Sequence, residues 1–298
     1  MKTNSNPVEA NSDIVVLFSG GTDSTLAAAL CAEKFRKVRL VTYSRMGIAS
    51  VENSRINAES LMEKFGKEKI SHEIINVDEL FKHISYENFL KNLFKHGFMN
   101  LSTCGLCKLS MHVRTVKYCV DNEVKFVCDG ANSGMTMFPD QMKPVIEKLQ
   151  EMYKLFGIRY ENPVFDFDPP EEKGFIDHEY TQILANKIKQ DSDFDKRDAK
   201  EEAKESKITA GQLLYQMKLA PAPNVKGSEY DRKRQPRCFQ FILFSIFANK
   251  YFLNDRSYED YQRSTLSFFS EKIETVTKLL QDASPRNRKI FGKTDGSS

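Results

Sequence analysis

The chain has 298 residues, 40% of them hydrophobic, with 44 basic against 41 acidic side chains and a formal net charge of +3. That length builds one large or two modest domains around a real core, and the charge balance excludes a global polycation, so any nucleic-acid contact must be local. The polar start from Met1 to Ser12 lacks the apolar centre of a signal peptide, and no run of about 18 apolar residues occurs. A cytoplasmic protein with no membrane partner is expected, whose six cysteines serve as thiols, metal ligands or redox groups rather than as a disulfide framework.

The stretch from Asp13 to Leu30, DIVVLFSGGTDSTLAAAL, predicts a buried strand, a phosphate-binding turn and a helix. Ile14 to Phe18 are continuously apolar, as in a strand covered on both faces. Gly20 and Gly21 let the backbone turn sharply and approach a ligand, and Ser24 is expected to cap the helix, whose first N–H groups favour an anion. No Gly-Lys-Ser/Thr follows, so the loop is not a Walker A motif, nor is it GxGxxG.

Further strands are expected at Lys37 to Ser44, Ile70 to Val77 and Val124 to Cys128, and a last one at Gly157-Ile158 with Pro163-Val164-Phe165. Helical spacing places Ile56, Leu61, Met62 and Phe65 on one inner side, and runs from Asp78 to Phe94, Leu106 to Val120 and Gln141 to Phe156. Alternating strands and helices predict an α/β fold with a parallel, doubly wound sheet. Its ligand lies outside the carboxyl ends of the strands.

The character changes after residue 165. Gln190 to Lys207 is almost wholly charged and reads as a solvated helix or a mobile connection, Pro221 to Gly227 is a break, and Phe239 to Gln281 is helical. The expected division is residues 1–165 as a nucleotide-binding domain and 166–298 as a mainly helical C-terminal region.

Cys104-Gly105-Leu106-Cys107 precedes a helix, where unpaired N–H groups favour thiolate. The pair is compatible with a zinc half-site, a redox pair or part of an iron–sulfur site, and His112 is either a further ligand or a core residue. Cys238, in Arg232-Lys233-Arg234-Gln235-Pro236-Arg237-Cys238, is the candidate third sulfur ligand. Cys31 and Cys119 read as small buried hydrophobes, while Cys128 ends a strand beside the expected nucleotide site.

The Ser19-Gly20-Gly21-Thr22-Asp23-Ser24 string resembles the SGGxDS signature of the PP-loop ATP pyrophosphatases, the adenine nucleotide alpha hydrolase group. With CxxC and a distant single cysteine it resembles their iron–sulfur-dependent sulfurtransferase branch, which thiolates tRNA bases. The resemblance implies ATP phosphates on Ser19, Gly20, Gly21, Thr22, Asp23 and Ser24. Adenine lies near Tyr43 and Ser44, with Gly130 and Asn132 in the facing loop. It implies Mg2+ near Asp23, catalytic roles for Asp23 and Ser24, and a [4Fe-4S] cluster on Cys104, Cys107 and Cys238, with Zn2+ as the alternative. Arg232, Lys233, Arg234 and Arg237 would bind pyrophosphate or an RNA backbone.

The implied reaction adenylates a substrate carbonyl oxygen, releases pyrophosphate and replaces the AMP by sulfur. The acceptor is a tRNA base or a small molecule, a sulfur donor is a required partner, and a homodimer is compatible with the chain. An amide or amine ligase with structural zinc or no metal, and an ATP-binding regulator without chemistry, are the other readings.

Overall fold

The computed structural model describes residues 7–97, 99, 102–167, 208–239, 257–282 and 290–291. After a short helical turn at Pro7–Ala10 come β1 (Asp13–Leu17), α1 (Thr22–Lys34), β2 (Lys37–Ser44), β3 (Ile48–Ala49), α2 (Ser54–Phe65) and β4 (Ile70–Asn76). Then follow α3 (Asp78–Tyr86), α4 (Phe89–His96), α5 (Thr103–Asp121), β5 (Phe126–Asp129), α6 (Lys143–Leu155) and β6 (Arg159–Glu161). The later part contributes α7 (Ala210–Gln216), α8 (Glu229–Arg232), β7 (Arg237–Cys238) and α9 (Tyr258–Gln281).

The five long strands form one parallel sheet in the order β4-β2-β1-β5-β6, with β1 at its centre. Successive residues of β1 point to opposite faces. Val15 and Leu17 join a core with α3, α5, α6 and α9, while Ile14 and Val16 join a second core with α1, α2 and α7. The sheet is therefore doubly wound, and the chain leaves β1 toward β2 on one side and returns to it through β5 on the other. The loops after β1 and β5 diverge at this reversal, which opens a crevice at the carboxyl edge.

The helical C-terminal part is built into this architecture. Phe268 is fully buried, and Phe269 packs so closely on Gly105 that a Cβ there would lie 2.4 Å from its Cζ. The glycine between the two cysteines of the CxxC motif is thus required by α9. Tyr261 donates its hydroxyl to the carbonyl of Met137 at 2.8 Å, and Lys272 reaches the carbonyl of Ile84 at 2.9 Å. Among the described residues no helix is long and apolar enough to cross a membrane.

Several boundaries differ from the sequence expectation. The last strand of the five-stranded sheet is β6, whereas Pro163 to Phe165 turn, with the Phe165 N–H on the Asn162 carbonyl at 3.1 Å; a proline cannot donate to a ladder. The run from Asp78 to Phe94 is divided into α3 and α4 at Asn88, whose φ of 57° breaks the helix. Leu90 and Phe94 then face solvent, 67% and 89% exposed. On α2 the inward side chains are Ser54, Asn57, Ala58 and Leu61, and Ile56 is exposed, because the polar pair meets the loop after β1. The charged run Gln190 to Lys207 and most of the apolar opening after Phe239 lie outside the described residues.

Phe268→Ala should lower stability by about 3–5 kcal/mol, as for a fully buried aromatic side chain. Urea unfolding should still give one transition; a separate early transition would mean that α9 is not part of the common core.

Candidate functional site

The apolar run of β1 ends at Ser19 and the backbone reverses at Gly20, whose φ is +79°. Asn57 donates to the Gly20 carbonyl at 2.7 Å, which fixes the turn from α2. α1 begins at Thr22, with Gly21 before it and no side-chain cap from within the loop. Ser24 therefore lies inside the first turn and is not the cap that the sequence suggests. Its hydroxyl donates to the Gly21 carbonyl at 3.1 Å, accepts the Ser19 N–H at 3.3 Å and meets the Ser19 hydroxyl at 3.0 Å. The two serines of the motif thus lock the loop's shape.

The facing loop follows β5. A Cβ on Gly130 would lie 2.6 Å from the Ser24 nitrogen, so the glycine permits the two loops to touch. Asn132 is buried, and its oxygen accepts the Gly134 N–H at 2.8 Å. Among the described residues, Asn132 Nδ2 and Asp23 Oδ1 are buried polar atoms with no hydrogen-bond partner, one from each loop. Such orphaned groups are costly unless a ligand or water completes them.

The helix start is covered by the later part of the chain. Asp231, buried within a four-residue helix, accepts both the Thr22 N–H at 3.0 Å and the Thr22 hydroxyl at 2.9 Å on Oδ1. Its Oδ2 accepts the Gly227 N–H at 3.0 Å and the Gln235 amide at 3.1 Å. Lys226 pairs with Asp23 at 2.7 Å. Burial pushes the Asp23 carboxyl up, against the opposing pull of Lys226.

The third cluster lies beyond β2. Arg45, 3% exposed, directs Nε to the Cys107 sulfur at 2.7 Å and sets its guanidinium 4.3 Å over the Phe81 ring. Cys238 is brought here by an antiparallel pairing in which Ile48 faces Cys238 and Ala49 faces Arg237. Burial pushes the Cys104 thiol well up, with Asp140, Cys107 and Cys238 adding to the shift. Burial likewise pushes Cys107 up to about 11, although Arg45 pulls the other way.

Both thiols are accordingly protonated at neutral pH. Among the described residues no three His, Cys, Asp or Glu side chains stand close enough to hold a metal ion as placed. The donor chemistry does fit a soft metal or an iron–sulfur cluster: three cysteines at one edge, beside a buried guanidinium that balances deprotonated sulfur. Ligation would release the thiol protons.

Between loop and cysteines lies a buried charge network. Asp129, the last residue of β5, pairs with Lys108 at 3.1 Å and accepts the Ala131 N–H at 3.0 Å and the Asn162 amide at 2.7 Å. Burial opposes its charge, yet Lys108, His112 and the Ala131 amide hold its carboxyl below the ordinary value. His112 is fully buried with Nδ1 3.0 Å from the Tyr153 hydroxyl, which makes it a core histidine.

The structure thus gathers Ser19 to Ser24, Gly130 and Asn132 at one crevice, and Cys104, Cys107 and Cys238 at the neighbouring edge. Tyr43 does not face the crevice: it is buried, with its hydroxyl 2.7 Å from Thr115 of α5. It shares a face with Val41, on the side of the sheet that α5 covers. Of the four cations, Arg232 donates to the Gly227 carbonyl at 2.9 Å, Lys233 pairs with Glu229 at 2.7 Å and Arg234 stacks 3.5 Å from the Tyr230 ring centre. Arg232, Lys233 and Arg237 are exposed. Cys128 touches Cys31, sulfur to sulfur, at 3.3 Å inside the core, and Cys119 is fully buried.

Arg45, Lys108, Asp129, Asp140, Lys226 and Asp231 were not legible as site residues. Two carried a local signal, since Lys108 adjoins the CxxC and Asp129 immediately precedes Gly130.

A crevice between two touching loops at the reversal point of a parallel α/β sheet, flanked by a cysteine edge, defines the class of protein. Residues 12–167 match the model of a family of unknown function, DUF7411, more than half of the chain, and the protein belongs to that family. No curated protein matches the sequence. One solved structure with similarity is described as a predicted subunit of tRNA methyltransferase from Methanocaldococcus jannaschii. It shares 17% identity over 76% of this chain and 96% of that one, with a TM-score of 0.34. Another is the U34-tRNA thiolase NcsA from Methanococcus maripaludis with its [4Fe-4S] cluster, at 13% identity over 100% of this chain and 82% of that one, TM-score 0.39. Both are too distant to carry a function across.

Gly130→Ala should unseat the β1–α1 loop at a cost of about 1–3 kcal/mol, since its new methyl meets backbone that cannot yield. Unchanged thermal unfolding would show that the loops are not held in contact.

Burial pushes His112 down to about 3 from an ordinary 6.5, so below pH 6.5 the unfolded chain binds a proton that the folded chain refuses. Stability should fall on acidification from 6.5 toward 3. Asp140, pushed up to about 6 by burial from an ordinary 3.8, takes its proton first in the folded state and offsets part of that loss between 6 and 3.8. His112→Phe should flatten the decline, read as urea unfolding at pH 7 and pH 5. An equally steep decline would assign it to other groups.

Proposed function

We propose that this protein is an ATP-dependent enzyme that adenylates a carbonyl oxygen of its substrate, releases pyrophosphate and replaces the AMP by sulfur, with a base of tRNA as acceptor. What supports the reading is that the SGGTDS loop and the CxxC motif both lie at helix starts, and that the β3–β7 pairing sets Cys238 beside Ile48, shortly after β2.

In this reading the amides of Gly20 to Ser24 hold the phosphates of ATP, because the start of α1 leaves N–H groups directed at the crevice. The adenine lies at the end of β2 beside Ser44. Asp23, whose Oδ1 has no hydrogen-bond partner, is the carboxylate that would hold magnesium against the phosphate oxygens. The acceptor's carbonyl oxygen attacks the α-phosphorus, the bond to the bridging oxygen breaks and pyrophosphate leaves with that electron pair. Loop amides and Lys226 stabilise the departing charge.

Cys104, Cys107 and Cys238 would hold a [4Fe-4S] cluster, which with three protein ligands supplies an open iron for sulfide. Arg45 offsets the negative charge of the ligating sulfurs. A sulfur nucleophile from this side then attacks the adenylated carbon, and AMP departs with the original oxygen. Arg232, Lys233 and Arg237, exposed beside Cys238, supply the local cations that an RNA backbone needs on a chain with little net charge.

Asp23→Ala should abolish pyrophosphate release while leaving the unfolding curve in place; retained release would remove Asp23 from the mechanism. Protein prepared without oxygen should be brown and contain iron, and Cys238→Ser should lose that iron. Colourless protein with about one zinc per chain would instead support a ligase using ammonia or an amine, and ATP binding without pyrophosphate release would support a regulator.

A further inference from the structure

Asp231 stands where the helix start calls for an anion. It is 5% exposed, and its Oδ1 takes the first amide of α1, Thr22 N–H, together with the Thr22 hydroxyl. A carboxylate oxygen at this position replaces a phosphate oxygen in charge and in hydrogen bonding. The cover extends over both glycines. A Cβ on Gly20 would meet the Arg234 carbonyl oxygen at 2.4 Å, and one on Gly21 would meet Gln235 Oε1 at 2.6 Å. A pyrophosphate group seated on the loop amides therefore needs the space that Asp231, Arg234 and Gln235 take.

The bonding of Asp231 is divided in a way that suits release. Oδ1 binds only the loop, whereas Oδ2 binds Gly227 and Gln235, both in its own segment. The N–H of Asp231 faces the Ser228 hydroxyl, again within the segment. Loss of the Thr22 contacts would thus leave the 226–235 turn internally intact. Two further ties hold it down, the Lys226–Asp23 ion pair and the β3–β7 ladder, which has two residue pairs. A phosphate with bound magnesium competes for both partners of the ion pair, since magnesium draws Asp23 and phosphate draws Lys226.

We propose that Asp231 is an internal substitute for phosphate, that a ligand carrying a pyrophosphate group displaces it from Thr22, and that this displacement frees the 226–238 segment bearing Cys238. The inference deepens the ATP reading and rests on it: occupancy of the nucleotide loop decides whether Cys238 stays paired with Ile48 at the cysteine edge. A tethered carboxylate has a high effective concentration, so a single weak anion does not remove it. The ligand class is a polyphosphate, which gains the remaining loop amides and Lys226 as it enters.

The test uses the full chain and inorganic pyrophosphate with magnesium. Calorimetric titration should show binding about tenfold tighter in Asp231→Ala than in the wild type, because the competing closed state is removed. Asp231→Asn, which keeps the side chain's volume but not its charge, should shift in the same direction and serves if the alanine variant does not fold. Hydrogen exchange in the peptide from Ser228 to Cys238 should accelerate on adding pyrophosphate to the wild type, and should be fast without it in the variants. Binding to the wild type that is no tighter in either variant overturns the proposal and leaves the ATP reading standing. Tighter binding with unchanged exchange also overturns it, since the segment would not have moved. Pyrophosphate that binds none of the proteins overturns the ATP reading and this proposal together.

Discussion

The backbone amide of Thr22 is the group on which the site depends. α1 must start at the end of a strand buried on both faces, and its first N–H groups then emerge in a crevice between two loops. Buried backbone donors need partners. The chain answers from 209 residues away with the carboxylate of Asp231. That one contact draws the 226–238 segment over the loop, and the segment in turn carries Cys238 to the strand that follows Arg45. The β1–α1 turn and the cysteine edge are therefore mechanically joined in this protein.

The sheet order explains why the two halves of the site can be neighbours. β1 and β5 are adjacent in the sheet and distant in sequence, so the loops that follow them part and leave room between. Asp129, at the floor of this gap, ties β5 to Lys108, which directly follows the CxxC on α5. The charges there are arranged in alternation from Asp140 through Lys108 to Asp129. Arg45 supplies the positive end beside Cys107. Burial keeps the thiols protonated until something with a stronger claim on sulfur arrives.

Local chemistry was legible in the sequence, and long-range placement was not. The SGGTDS turn is specified by residues within a dozen positions, and β2 spans the residues expected for it. Cys104 and Cys107 are visible by spacing, and Cys238 as a further cysteine in a basic stretch. Asp231 had no such signal: an aspartate after a serine N-cap is an ordinary helix start, and its role comes from where the segment lands. Tyr43 failed for a related reason, since Val41, Thr42 and Tyr43 are all buried and the end of the strand does not tell which face a helix will cover. On α2, the inward Ser54 and Asn57 contradict the apolar period because they face a polar loop instead of the core.

The separation between Thr22 and Asp231 also orders events in time. The last strand of the sheet ends at Glu161, 70 positions before Asp231 (231 − 161), a delay on the order of 4–14 s at a synthesis rate of roughly 5–20 residues per second. During that interval all five strands of the sheet have been made, while the carboxylate that covers the β1–α1 turn has not. A nascent chain therefore leaves the start of α1 uncovered after its sheet is complete, and the 226–238 segment closes over a turn that is already formed.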